Sequence, residues 1–131
     1  MTTIERNKLA IIIRKFFQER RVVDKATAST KKAASEQGKA STQRNVRRYC
    51  HALEYVELVD NAWDNLSDKE KTVLKDFYGR EKRRSGACLR MQNELDLSER
   101  QVYRLAVRGL ANFRDNLIRH GVFQEVITYE H

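Results

Sequence analysis

The sequence predicts an all-α fold, and three observations indicate it. The chain of 131 residues contains no proline and only five glycines, so few residues would interrupt a helix. Apolar residues recur at three- and four-residue steps along most of the chain, which is the period of an amphipathic helix. Two capping-box patterns, Ser67 with Glu70 and Ser98 with Gln101, mark helix starts. We therefore expect a C-terminal three-helix unit preceded by a two-helix N-terminal part.

The N-terminal part, residues 1–64, should contain amphipathic helices over about 3–23 and 43–64. The first presents a wide apolar stripe, which consists of Leu9, Ile12, Ile13, Phe16 and Phe17. Two interpretations of this stripe stay open: it packs on helix 43–64 of the same chain, or it forms the seam of a homodimer. Because the stripe is wider than one partner helix is expected to cover, we predict a homodimer built by the N-terminal helices.

A polar segment at about 24–42 separates these two helices. It contains no large apolar residue, and it is rich in Lys, Ser, Thr and Ala. Such a segment cannot bury enough surface to offset the entropy of ordering it. The composition therefore predicts a flexible basic linker.

The C-terminal unit, residues 65–120, should contain three helices. The first begins at the Ser67 cap and ends at Gly79, and a basic loop with Arg83 and Arg84 follows it. A short helix then runs to Leu95, and a longer one begins after the Ser98 cap. Two helices across so short a turn have the spacing of a helix-turn-helix, whose second helix lies in the DNA major groove.

The polar face of the longer helix determines the functional prediction. Once the apolar positions point inward, a basic and hydrogen-bonding surface is left, and residue types of this kind contact phosphates and base edges. With the arginines of the preceding loop, the predicted DNA-contact set is Ser98, Glu99, Arg100, Gln101, Tyr103, Arg104, Arg108, Arg83 and Arg84. In it, Tyr103 and Arg104 are expected at base edges, and Arg108, Arg83 and Arg84 at phosphates.

The charge distribution agrees with a nucleic-acid partner. The net charge is +8, and the positive charge is concentrated in two blocks. Residues 1–50 carry 13 Lys or Arg against four Asp or Glu, and residues 80–119 carry ten against five. Between them, residues 51–79 carry seven acidic and three basic side chains. Basic blocks bind polyanions through counterion release, whereas the acidic block should face away from DNA.

Several other classes of protein are disfavoured by what the sequence lacks. No glycine-rich phosphate loop or nucleophile elbow occurs, so we expect no enzyme and no cofactor. The two cysteines, Cys50 and Cys88, and the three histidines lack metal-ligand spacing, so no metal site is expected. No apolar run is long enough to span a membrane, and no signal peptide precedes the first helix, so we expect a cytoplasmic location. The final segment, 121–131, is either a short strand or an apolar tail packed on the bundle.

A family resemblance adds to this interpretation. Residues 66–117 resemble region 4 of sigma-70-type transcription initiation factors in the Leu66-Ser67 helix start, the Phe77-Tyr78 helix end and the run from Leu95 to Ser98. The run Val102-Tyr103-Arg104 and the segment 110–113 complete the likeness. The layout of the whole chain is similar to that of the small late-gene regulators of Gram-positive phages, the autolysin-regulator type. One departure is Gly109 where such families usually carry alanine, and glycine there indicates a bend or a close helix contact.

The resemblance implies a phage or prophage regulator of transcription that binds double-stranded DNA in the bacterial cytoplasm. Two alternatives remain. Sigma region 4-like domains also bind RNA polymerase, so the chain is alternatively an adaptor that uses its acidic segment 54–76 on the polymerase. A phage DNA-packaging subunit is the other, although those usually place the helix-turn-helix at the N-terminus and oligomerise through later helices.

Overall fold

The computed structural model describes residues 1–80 and 86–128, and all regular structure in these residues is helical. This confirms the all-α class. The helices are α1 (Thr3–Lys25), α2 (Ala28–Gln37), α3 (Arg44–Asp64), α4 (Asp68–Leu74), α5 (Ala87–Leu95), α6 (Glu99–Arg119) and α7 (Phe123–Thr128). A 3₁₀ turn over Gly38–Ala40 precedes α3, and a π turn over Lys75–Gly79 extends α4 to the glycine predicted to end it.

The apolar stripe of α1 is buried inside the chain. Its five residues, Leu9, Ile12, Ile13, Phe16 and Phe17, all belong to the main hydrophobic core. α1 lies mainly against α3 and the π turn, and the Tyr55 hydroxyl of α3 donates a hydrogen bond to the Ile12 carbonyl at 3.5 Å. Packing within the chain is therefore confirmed. The alternative prediction, a dimer seam on this stripe, is wrong, because these side chains have almost no exposed surface. The predicted homodimer is thus left without an assigned interface.

One hydrophobic core crosses the predicted boundary between residues 64 and 65. Trp63, near the end of α3, is at its centre, with ring centroids 5.9 Å from Phe16, 5.1 Å from Phe17 and 6.2 Å from Phe113 of α6. The Asn116 side chain of α6 donates to the Ala62 carbonyl at 3.0 Å. The N-terminal helices thus supply one side of the core on which the C-terminal half of α6 packs.

The polar segment 24–42 is not a flexible linker but carries a helix, so the N-terminal part has three α-helices rather than two. Thr27 caps α2 by accepting a hydrogen bond from the Thr30 N–H at 3.2 Å. Thr30 is itself buried, and its hydroxyl accepts from the Asn45 side chain of α3 at 3.1 Å. Lys39 forms an ion pair with Glu54 of α3. Polar contacts hold this segment on α3. The linker prediction was based on the lack of large apolar side chains, so it did not take such contacts into account.

The C-terminal segment forms α7 rather than a strand. Val126 is buried, and Val122, Phe123 and Ile127 pack against the main core. Packing on the bundle, one of the two predicted alternatives, is therefore confirmed for the described part of the segment, residues 121–128.

Gly109 lies where α4 crosses α6. A β carbon at this position would lie 3.1 Å from Leu74 Cδ1 and 3.5 Å from Glu70 Cβ. α6 continues through Gly109 without interruption from Glu99 to Arg119. Of the two predicted consequences of this glycine, a bend or a close helix contact, the structure shows the close helix contact.

Replacing Gly109 with valine should lower the free energy of unfolding by about 1–3 kcal/mol, because the added methyl groups push the buried Leu74 out of place. Denaturant unfolding measures this change. Ala111→Val is the matched control, since it adds a similar β-branched side chain to a less buried position of the same helix. Equal stability of the two variants would contradict a tight α4–α6 contact at Gly109.

Candidate nucleic-acid interface

α5 and α6 are joined by residues 96–98 and pack on each other over a second, smaller core. This core contains Met91 of α5 and Val102, Leu105 and Ala106 of α6. Val73 of α4 and Phe77 of the π turn complete it. Asp96 takes a left-handed conformation (φ 54°, ψ 50°) at the end of α5. The Leu97 N–H donates to the Gln92 carbonyl at 3.1 Å. This turn ends α5 three residues before α6 begins, and Glu99, Arg100 and Gln101 of the first turn of α6 are exposed.

The predicted capping box opens α6. The Ser98 hydroxyl accepts a hydrogen bond from the Gln101 N–H at 3.2 Å, and the Gln101 side-chain oxygen accepts from the Ser98 N–H at 2.9 Å. Glu99 is exposed in the first turn, where the helix dipole favours a negative charge. Ser98 and Gln101, two members of the predicted DNA-contact set, thus have side-chain oxygens that already act in the cap.

The structure brings together most of the remaining predicted contact residues on one open surface. Ser98, Glu99, Arg100, Tyr103, Arg104 and Arg108 line it together. Arg83 and Arg84 lie outside the described residues. Val107 and Ala111 also line this surface and were absent from the predicted set. Their positions four and eight residues after Tyr103, on the same side of the helix, were the available signal.

Two arginines of this surface differ from Arg108 in having no partner among the described residues. Arg100 and Arg104 are exposed, and neither side chain forms an ion pair or hydrogen bond within residues 1–80 and 86–128. They lie one helical turn apart, about 6 Å along the axis, in the N-terminal half of α6. An exposed guanidinium without an internal partner can form two parallel hydrogen bonds with a guanine edge or a phosphate.

Arg108 differs from these two arginines in its surroundings. Its side chain is 68% exposed, and its Nε atom lies 3.9 Å from the Glu70 carboxylate of α4. Since successive residues of a helix turn by about 100°, Arg108 points about 40° further round α6 than Arg104, toward α4. Arg108 therefore lies at the edge of the surface, where a groove-bound helix meets the backbone rather than the bases.

Glu70 joins α4 to α6 below this edge. Its carboxylate accepts from the Ser67 N–H at 2.9 Å and from the Asn112 amide at 2.6 Å, which completes the predicted capping box at Ser67. Burial by itself raises the pKa of Glu70. The hydrogen bonds from Ser67 and Asn112, together with the Arg108 charge, outweigh burial and lower this pKa below its ordinary value.

Because the pKa of Glu70 is lower in the folded chain than in the unfolded chain, the ionised carboxylate stabilises the fold above its unfolded pKa. This contribution should be lost as the pH falls through the folded pKa. We expect Glu70→Gln, which keeps a capping side chain but cannot ionise, to show a smaller loss of unfolding free energy between pH 7 and pH 3. Denaturant unfolding across this range is the measurement, and other carboxylates affect both proteins alike. Identical pH profiles would show that Glu70 does not contribute.

Part of the charge counted in the sequence is internally neutralised. Asp76 is buried in the π turn, and its carboxylate pairs with Arg80 at 2.5 Å and with Arg90 at 3.2 Å. Arg48 of α3 pairs with the buried Glu19 of α1. Arg80, Arg90 and Arg48 therefore have structural partners and carry less of the surface charge than the sequence count suggests.

The acidic segment 54–76 exposes fewer carboxylates than its sequence contains. Glu70 and Asp76 are buried, whereas Glu57, Asp64 and Asp68 are exposed. These three lie along the end of α3 and the start of α4.

Two features are absent from residues 1–80 and 86–128. No helix among them is both long and apolar enough to cross a bilayer. In the same residues, no cluster of three or more His, Cys, Asp or Glu side chains is placed to hold a metal ion. Comparison of the chain with protein-family models, with curated proteins and with solved structures gave no match.

Proposed function

We propose that this chain is a sequence-specific regulator of transcription that binds double-stranded DNA by placing the N-terminal half of α6 in the major groove. The observation that carries the proposal is the pair of exposed arginines, Arg100 and Arg104, on the first turns of a capped helix. Neither arginine has a partner among the residues that the structure describes. The first turns are the end of a recognition helix that meets base edges. The resemblance to sigma region 4 agrees with it, and the similar layout of the late-gene regulators of Gram-positive phages adds a phage or prophage origin.

The contacts divide by position on α6. Arg100 and Arg104 point outward and are placed for bidentate hydrogen bonds to guanine O6 and N7. Arg108, held near Glu70 at the edge of the surface, is placed for a phosphate. The N–H groups of the first turn of α6 are oriented by the Ser98–Gln101 cap, which sets the direction in which the helix enters the groove.

Selection of bound duplexes from a random DNA pool tests the proposal. The full chain alone should enrich a common sequence, and a mobility-shift assay without RNA polymerase should show direct binding to it. A control variant, Arg119→Ala, removes an exposed arginine at the far end of α6 and should select the same sequence. Failure to enrich any sequence, while the protein is folded by circular dichroism, would refute the proposed function.

Binding should also depend strongly on salt. Each phosphate neutralised by Lys or Arg adds about 0.9 to the downward slope of log affinity against log salt concentration. Arg108 with exposed cations of the two basic blocks should give a slope of several units, measured by fluorescence anisotropy between low and physiological salt. A slope near zero would mean that the positive charge does not contact a nucleic-acid backbone.

A second candidate function is that of an adaptor acting on RNA polymerase. The exposed carboxylates of Glu57, Asp64 and Asp68 favour it, because DNA would repel their negative charge. Under this alternative, DNA is shifted only when polymerase is present, and charge reversal at Asp64 and Asp68 abolishes that shift. A shift by the chain alone favours the first function.

A further inference from the structure

The exposed face of α6 consists of two adjacent rows of side chains. One is an arginine row with four-residue spacing: Arg100, Arg104 and Arg108. The other is an apolar row with the same spacing: Tyr103, Val107 and Ala111. All six residues line the same open surface. Residues four apart lie above one another on a helix, so the two rows run side by side along the face proposed to enter the groove.

The packing of the protein covers the apolar row only in part. α6 buries the opposite face, and Val107 keeps 43% of its surface exposed, whereas Tyr103 keeps 50%. The Tyr103 ring rests edge-on against Phe77, with centroids 6.0 Å apart, and this contact holds the ring at the side of the row. By helical angle Val107 lies between Tyr103 and Arg100. It is more exposed than Ala111, the other aliphatic residue of the row.

We propose that Val107 determines specificity by contacting the 5-methyl group of a thymine, next to base pairs contacted by the arginine row. This inference rests on the proposed function. Guanidinium groups recognise guanine and phosphate but have no favourable contact for a methyl group, which is the feature that marks thymine in the major groove. Valine in a helix has one strongly preferred side-chain conformation, so its methyl groups occupy fixed positions on the surface.

The site implied is one in which a thymine lies close to a guanine. The two rows are separated by only about 60° around α6, so the arginine and apolar contacts fall on neighbouring base pairs. Tyr103 extends the apolar surface toward the helix start, and Ala111 extends it toward the backbone.

Deoxyuridine scanning of the selected duplex tests this assignment. Replacing thymine with uracil removes only the 5-methyl group and keeps every hydrogen-bonding atom of the base. With the wild-type chain, we expect uracil at one or two positions to weaken binding about fourfold, which is the effect of removing one buried methyl group. Fluorescence anisotropy at a single fixed salt concentration measures each duplex.

The Val107→Ala variant completes a double-mutant cycle with the same duplexes. It should bind the thymine duplex about fourfold more weakly than the wild type and should no longer distinguish thymine from uracil at those positions. Alanine is a strong helix former, so α6 should be retained. Ile118→Ala is the matched control, because Ile118 is an exposed apolar residue at the far end of the same helix. This control should keep the full discrimination of the wild type.

The outcomes separate the two proposals. A selected site at which uracil has no effect, or at which Val107→Ala still discriminates as the wild type does, overturns the role of Val107 and leaves DNA binding intact. Failure to select any DNA rejects the proposed function and the Val107 contact with it. Loss of discrimination in the Ile118→Ala control would also overturn the assignment, because the effect would not be local to Val107.

Discussion

Replacing Arg104 with alanine should weaken binding to the selected DNA site by about 1–3 kcal/mol and weaken binding to random DNA much less. Arg104 is exposed near the centre of the α6 surface and has no internal partner among the described residues, so its guanidinium is available for a base edge. Loss of a bidentate contact with guanine removes discrimination at that base pair. Titrations of the cognate and a scrambled duplex at one salt concentration measure both affinities.

Arg108→Ala is the matched comparison on the same helix. Because Arg108 lies at the edge of the surface near Glu70, its removal should weaken binding to both duplexes about equally and reduce the salt slope by about one unit. Circular dichroism should show unchanged helix content in both variants, since both side chains are exposed. If Arg104→Ala loses cognate and random binding to the same extent, Arg104 contacts phosphate and the assignment to a base edge is wrong.

Replacing Trp63 with alanine should lower the free energy of unfolding by about 3–5 kcal/mol, the usual cost of a large cavity in a core. Its ring is only 4% exposed and lies against Phe16 and Phe17 of α1 and Phe113 of α6, so the cavity would open between three helices. A loss of this size is a large part of the stability of an ordinary domain. Far-ultraviolet circular dichroism follows the transition, because the variant lacks the chain's only tryptophan.

The control for this variant is Ile118→Ala, which removes an apolar side chain that is 53% exposed. It should change the unfolding free energy by no more than about 0.5 kcal/mol. If Trp63 joins the N-terminal helices to α6 as the structure shows, the destabilised variant should still unfold in a single transition. Loss of only part of the helix signal in a first, separate transition would indicate that residues 1–64 and α6 do not share one core.

The position of the α1 stripe illustrates a limit of sequence reasoning. Its apolar spacing predicted a buried face, and that face is buried. The periodicity contains no information about which surface covers the face, so packing within the chain and packing between two chains were both open, and the width of the stripe led to the prediction of a homodimer. The covering surface comes from α3, the π turn and α6, all distant in sequence from α1.

α2 is a helix that the sequence analysis did not predict. Its residues are small or polar, so the segment bears no apolar periodicity of the kind that predicts a packed helix. α2 is ordered by the Thr27 cap and by the hydrogen bond between Thr30 and Asn45, and the 3₁₀ turn after it is held by the ion pair between Lys39 and Glu54. The contacts with Asn45 and Glu54 depend on where α3 lies, and α3 is positioned by the core rather than by α2.

The sequence by itself determined the helical class, the two capping boxes, the ends of α4 and α5 and the exposed basic face of α6. These features depend on residues within about one or two helical turns of each other, so local spacing is sufficient to predict them. Only the tertiary structure decided the partner of α1, the order of α2, the close contact at Gly109 and the pairing of Asp76. It also decided the approach of Arg108 to Glu70, since Glu70 comes from another helix. These features depend on contacts between residues far apart in the chain, and such contacts exist only once the shared core brings the helices together.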